Sequence, residues 1–250
     1  MNISPLFLDE CARHGVEAAR FPSSETVFAD KDTRALARRL NAIVPVSFAA
    51  VGEDRMLSCY PCLRVPLEAL LAGVGADALF SVGVLGDVDA LLRPYLAEWG
   101  YRPSPFAQRY GISCLQDDAA AVPAERILPL TRRLTADDAK LANRTSMKLS
   151  DCASRGAFAC IAEDTVVCIA SVNRAGGAER CVEIGVECAP DYRRRGYALS
   201  CVCALTQALC ADGLCVLYRH YSTNTGSAAV AHSAGFVPVG RFFTYTAFAV

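Results

Sequence analysis

Neither sign of charge predominates in this chain of 250 residues: 25 Lys and Arg face 26 Asp and Glu, a formal net charge of −1. A dedicated nucleic-acid binder needs a basic stripe that exchanges counterions with phosphates, so no nucleic-acid partner is expected. Long apolar runs are missing too. Charge or glycine interrupts each of them well short of the roughly 18 residues of a spanning helix, and no membrane partner is expected. The opening MNISPLFLDECARHG sets acids and a histidine where a secretion signal has its basic and apolar stretches, which makes a cytoplasmic protein the expectation. Histidine is scarce, with residues only at 14, 220 and 232. The single CxxC, Cys59-Tyr60-Pro61-Cys62, therefore lacks the second pair or Cys/His partner of a zinc site, and no metal is expected.

What the chain does have is apolar mass. Hydrophobic residues make up 53% and charged ones 20%, with a mean hydropathy of +0.25, enough for a sizeable core. Thirteen cysteines add to it. Outside the secretory route most should be reduced, and Cys160, Cys168, Cys201, Cys203, Cys210 and Cys215 fall inside apolar patterns where a thiol packs as a small hydrophobe.

The polar, Ala-rich stretch 115–125 reads as a linker and predicts domains 1–122 and 123–250. Upstream, Ser4-Pro5 opens a helix predicted to reach residue 20, and a second helix is predicted over 33–41. Runs 44–51 and 56–60 flank Gly52 as a hairpin; helices at 66–72 and 88–99 bracket an apolar strand at 78–85, giving an α/β half. Downstream, 127–130 is a short strand and Thr135 to Asp138 cap a helix. Runs 158–162 and 165–172 form a hairpin around Glu163-Asp164, with a third strand at 180–188. A helix follows at 197–212, closed by Gly213, then a strand at 214–218. A short helix at 225–234 and strands at 236–239 and 241–248 complete a mixed α+β order.

Between the third of these strands and the long helix stands Ala189-Pro-Asp-Tyr-Arg193-Arg194-Arg195-Gly196-Tyr197-Ala198. Such a loop aims the unpaired amides and positive end of a helix at an anion. Gly196 and Ala198 keep bulk off the backbone, and the arginines supply charge. Taken alone this reads more readily as a solvated basic turn capping a helix than as an anion site. Asn224, with Ser227 three residues on, opens the next helix, as an N-cap or as the second border of a cleft shared with the first helix start.

With Val186-x-Cys188-x-Pro190 before the loop and Gly235-Phe236 after it, the region from Glu125 to Phe248 resembles the GNAT acetyltransferase superfamily. The resemblance implies a central, mostly antiparallel sheet flanked by helices, its fourth strand splayed from the fifth by a bulge. It implies acetyl-CoA as co-substrate. The main chain at Val186 and Cys188 would contact the acyl arm, the amides from Arg193 through Arg194, Arg195, Gly196, Tyr197 and Ala198 would hold the pyrophosphate, and Asn224 with Ser227 would line the far wall. Many members carry a Tyr four residues before the Gly-Phe pair as general acid, and here that place is Ala231. Tyr221 or His220, both just past the fifth strand, or a water would take its place, and Tyr221 is the general acid expected. Glu183, on the face opposite the apolar one, is the general base expected, with a paired structural carboxylate as its equally ready reading; Glu187 comes second because the bulge leaves its direction open.

The first half, with helix, strand, helix and Gly100-Tyr101, follows the same plan as a diverged copy. It lacks an Arg-x-x-Gly-x-Ala between Tyr60 and Pro66, so only the second half is expected to bind coenzyme A. The first half then shapes the acceptor side or forms a homodimer surface. The leading function is an N-acetyltransferase acting on a primary amine of a small molecule or peptide by direct attack in a ternary complex. The alternatives are an acyl-CoA sensor without catalysis and a thiol redox protein using Cys59 and Cys62.

Overall fold

The computed structural model describes residues 5–23, 25–33, 41–105, 109–174 and 180–250. Helix α1 (Pro5–His14) ends at Gly15, which adopts φ 69, and only a 3-10 turn at Ala18–Arg20 follows, so the expected continuation to residue 20 is broken by that glycine. The helix expected at 33–41 falls almost wholly on 34–40, outside the described residues. Strand β1 is Val27–Asp30, and β2 (Ala42–Val51) and β3 (Asp54–Cys59) form the expected hairpin, turning at Gly52 with φ 60.

Helix α2 spans Arg64–Leu71. The apolar run 78–85 is not a strand. Ala78–Phe80 is a 3-10 turn, and the Ser81 hydroxyl then accepts the Val84 N–H at 3.3 Å, starting helix α3 (Val82–Trp99) six residues earlier than expected. Leu85, Val88, Leu92 and Leu96 lie on its buried stripe, a helical spacing. Strand β4 (Tyr101–Pro103) follows.

Strand β5 (Tyr110–Gln116) and two 3-10 turns, Ala119–Ala121 and Ala124–Arg126, occupy the stretch read as a linker. The strand expected at 127–130 forms later, as β6 (Thr131–Arg133). Thr135 and Asp138 do cap a turn, the Thr135 N–H donating to the Asp138 carboxylate at 2.7 Å, but it is a 3-10 helix of five residues. Strand β7 (Ala142–Asn143) and helix α4 (Leu149–Arg155) come next. Strands β8 (Ala157–Ala162), β9 (Thr165–Arg174) and β10 (Cys181–Cys188) form the expected meander, its first turn made by Glu163 and Asp164 at φ 48 and 57. Helix α5 (Tyr197–Ala211), strand β11 (Cys215–Tyr221) and helix α6 (Thr225–Ser233) lead into one long strand, β12 (Val237–Ala249), where two strands had been expected.

Contacts gather these elements into two units. The first comprises Met1–Ile112, Tyr221–Thr223 and Val239–Val250; the second comprises Ser113–His220 and Asn224–Pro238. The division thus falls ten residues before the expected one, and the end of the chain returns to the first unit. In the first unit the strands run β1-β3-β2-β12, around a core in which Phe48 stacks on Phe243 with ring centroids 4.5 Å apart. In the second they run β5-β11-β10-β9-β8-β6, with β7 beside β9. Pairing is mostly antiparallel, and β10 with β11 is one of the parallel exceptions.

Candidate functional site

The parallel pairing of β10 with β11 runs from Cys181↔Cys215 to Ile184↔Tyr218 and stops there, although both strands continue. At the same rung β9 carries one extra residue: Glu183 faces Arg174 while Ile184 faces Val172, so Asn173 bulges. Gly185 makes room for it, since a Cβ there would lie 2.3 Å from the Asn173 amide nitrogen. The last four residues of β10 therefore form one side of a fork in the sheet.

The Ala189 N–H bonds to Val167 O at 2.9 Å, which fixes the phase of the β9–β10 ladder. Cys188 opposite Cys168 and Val186 opposite Ala170 are then non-hydrogen-bonded pairs, and their own N–H and C=O groups point away from β9, into the fork. The Cys188 carbonyl accepts from Arg193 Nε at 3.2 Å.

Beyond β10 a 3-10 turn (Pro190–Tyr192) delivers the chain to α5. Arg194 takes φ 60, an unfavourable left-handed conformation for a side-chain-bearing residue, and Gly196 takes φ 79 as the N-cap. The Ser200 N–H closes the first turn on Gly196 O at 2.9 Å; helix geometry leaves the amides before it without intrahelical partners. A Cβ built on Gly196 meets nothing within 4 Å, so the space above this backbone is open. On α6 the Asn224 side chain accepts the Ser227 N–H at 3.0 Å, as an N-cap does.

Fork, loop and α6 enclose a cavity of about 600 Å³. Val186, Cys188, Arg193, Arg194, Gly196, Tyr197, Ala198, Asn224 and Ser227, all picked from the sequence, line it. Arg195 does not. Its guanidinium lies 5.2 Å from the Tyr192 ring centroid and donates to Asp191 O at 3.1 Å, bracing the loop from behind.

The two named catalytic residues also lie off the lining. Glu183 sits one residue before the last β10–β11 rung, on the sheet face opposite Ile184. Tyr221 ends β11 in the first unit, 43% exposed, with its ring 6.4 Å from that of Phe242. His220 is buried with Nε2 3.8 Å from Cys114 Sγ, and His232 is exposed on α6. In their place the cavity holds Glu187 and Tyr218. The Glu187 carboxylate accepts from the Ser146 N–H at 2.8 Å and hydroxyl at 2.7 Å. Tyr218 is 2% exposed, its hydroxyl 2.8 Å from Ser227 Oγ, and burial raises its pKa above the ordinary tyrosine range. Sequence reasoning missed Tyr218 because an aromatic inside a strand reads as core; its one signal was its place three residues before Tyr221.

Residues 107–237, just over half of the chain, match the acetyltransferase (GNAT) domain. The chain belongs to the GNAT acetyltransferase family. Membership places it among acyltransferases. Among solved structures it is similar to a protein described as a GNAT-family acetyltransferase from Novosphingobium aromaticivorans, at 16% identity over 60% of this chain and 68% of that one, with a TM-score of 0.47. It is also similar to a GCN5-related N-acetyltransferase-like protein from Streptococcus suis, at 14% identity over 62% and 66% of the two chains and a TM-score of 0.44. A GCN5-related N-acetyltransferase from Sphaerobacter thermophilus aligns at 13% identity over 82% of this chain and 79% of that one, with a TM-score of 0.44. No curated protein matches the sequence. Among the described residues no helix is long and apolar enough to cross a membrane, and no cluster of three or more His, Cys, Asp or Glu is placed to hold a metal ion.

Proposed function

We propose that this family member transfers an acetyl group from acetyl-CoA to a primary amine of a small molecule or peptide, by direct attack in a ternary complex. The observation that carries the reading is the open left-handed backbone at Gly196, set at the start of α5 beside a fork whose backbone groups lack a strand partner. That combination fits a pyrophosphate followed by an amide-bearing arm. The loop amides with Arg193 and Arg194 hold the anion at the helix N-terminus. Val186 and Cys188 present alternate main-chain groups to the arm, as a neighbouring strand would. From Cys188 back to the end of pairing at Ile184 is four residues of extended chain, about 13 Å, so the reactive end of the arm lies near Tyr218.

The co-substrate brings the activated acyl group, and the protein's part is orientation and proton management. Two groups at the cavity suit the second task, and they approach the fork from opposite faces. Tyr218 points to the α6 side, where it meets Ser227, and its burial keeps the phenol protonated and able to donate to a departing thiolate. Glu187 lies on the other face, where Ser146 orients its carboxylate to take the proton of an arriving amine. These assignments replace Tyr221 and Glu183. Thermal unfolding with and without coenzyme A, followed by release of free thiol from acetyl-CoA across a panel of amines, tests the reading. A ligand at about 100 times its dissociation constant adds roughly 2.7 kcal/mol of stability. No shift at millimolar coenzyme A would remove the proposal.

A further inference from the structure

Three of the cysteines stand in one row across the sheet of the second unit. Cys160 on β8 is the register partner of Cys168 on β9, and Cys168 is the partner of Cys188 on β10. Residues directly opposite one another point to the same face, so the three thiols line up beneath α5. That helix adds a fourth: Cys201 Sγ lies 3.4 Å from Cys160 Sγ and 3.7 Å from Cys168 O. All four are free thiols. Cys160, Cys168 and Cys201 are fully buried, whereas Cys188 is half-buried and lines the cavity.

The ladder phase makes Cys168 and Cys188 a non-hydrogen-bonded pair, the arrangement that brings opposite Cα atoms to about 4.5 Å. This separation lies within the range a disulfide spans, at its short end, so the bond can form without moving either strand. We infer that Cys188 is a covalent modification site, which captures a low-molecular-weight disulfide entering the cavity and passes the bond to Cys168 behind it.

The exchange balances without a further oxidant. The Cys188 thiolate attacks one sulfur of RSSR, forming Cys188–S–S–R and releasing one RS⁻. The Cys168 thiolate then attacks the Cys188 sulfur, forming the Cys168–Cys188 bond and releasing the second. Each step loses one cysteine proton and yields one small thiol, so the chain is oxidised by two electrons and RSSR is reduced to two RSH. Hydrogen bonding to Cys168 and burial hold the Cys188 thiol above its ordinary range, while Arg193 and Arg195 pull the other way. Capture is therefore slow at neutral pH and quickens about tenfold per pH unit while the thiol remains mostly protonated. Closure also withdraws the Cys188 thiol, which donates to Tyr192 O at 3.4 Å, from the turn that leads into the arginine loop.

The experiment uses the whole folded chain with glutathione disulfide, whose reaction does not depend on coenzyme A binding, and reads peptide masses after quenching at pH 7.5 and 8.5. The exposed Cys62 should be oxidised, as a glutathione adduct or as a bond to Cys59, and either product reports that the reagent is active. The expected product is a Cys168–Cys188 linked peptide, two hydrogens lighter than the reduced pair, forming faster at the higher pH. In Cys168→Ala the reaction should stop at a glutathione adduct on Cys188; should that variant not fold, the wild-type peptide map still decides. Modification of Cys62 with Cys188 untouched at pH 8.5 would overturn the inference, as would an adduct on Cys188 that never closes in the wild type, or a disulfide that joins Cys188 or Cys168 to a cysteine other than each other.

Discussion

Replacing Gly196 separates a phosphate cradle from an ordinary helix cap, because stability and cofactor binding rank the Ala and Asp variants in opposite orders. Its φ of 79 penalises any Cβ by roughly 1–2 kcal/mol, and a little less for Asp, whose short polar side chain tolerates the left-handed region better than Ala does. Stability should fall in the order Gly, Asp, Ala. With a melting shift of about 2–4 °C per kcal/mol at this chain length, Gly196→Ala should melt some degrees below the wild type. Since a Cβ on Gly196 meets no atom of the described residues within 4 Å, no clash at that carbon adds to the cost. For a bound pyrophosphate the two variants change places. Each new side chain occupies the anion's place, and Asp adds repulsion. Losing two charge-assisted hydrogen bonds at about 1.5–3 kcal/mol each amounts to 3–6 kcal/mol, or about 10²–10⁴-fold in dissociation constant. Isothermal titration with coenzyme A, paired with calorimetric unfolding of the same samples, reads both orders at once. A folded Gly196→Asp that binds coenzyme A within threefold of wild type would refute the cradle and leave only the cap.

Two further outcomes follow from the same geometry. Tyr218→Phe removes the hydroxyl 2.8 Å from Ser227 and keeps the ring, so coenzyme A affinity should hold while turnover drops about 10²–10⁴-fold; equal turnover in steady-state kinetics would return the phenol to the core. Asp138→Asn should cost about 1–2 kcal/mol near pH 7 in denaturant titrations, since the carboxylate accepts from both Arg132 Nη atoms at 2.8 and 2.6 Å and from Thr135. Those bonds, Arg132 foremost, depress the Asp138 pKa. The contribution is therefore present above the unfolded value near 3.9 and fades as pH falls below it, so the wild-type advantage should shrink below about pH 4, and a gap unchanged at pH 3 would contradict the pairing.

Much of the second unit was legible because its signals are local and chemically particular. Glu163-Asp164 tolerate the positive φ of a tight hairpin, and Arg193 to Ala198 with Asn224 mark two helix starts. The failures came where composition is ambiguous. The apolar run 78–85 carries no period that separates strand from buried helix, and the deciding feature was a single hydroxyl, Ser81. Gly240 read as a break in the last strand, yet it is there for close approach: a Cβ would lie 2.8 Å from Ala50 O on the neighbouring β2. The two catalytic candidates lie off the cavity lining for a three-dimensional reason. Sequence gives the face on which Glu183 and Glu187 lie, but only the rung where β10 and β11 part decides which of them meets the cavity. Nor does a sequence period show that Tyr218 stands at that rung.

The return of β12 to the first unit bears on the order of assembly during synthesis. Strand β2 pairs antiparallel with β12, from Ala50 opposite Arg241 to Ala42 opposite Phe248, so the first-unit sheet closes across nearly two hundred residues of intervening chain. The second unit, by contrast, builds its meander and the α5–β11 crossover from close sequence neighbours. Low sequence separation favours early pairing, so the unit encoded second should be the first to consolidate on a nascent chain. Until Arg241 emerges, β2 offers its unmatched edge to whatever strand is nearby. Slow synthesis of the segment that carries β12 would lengthen that exposure, and removal of β12 would make it permanent.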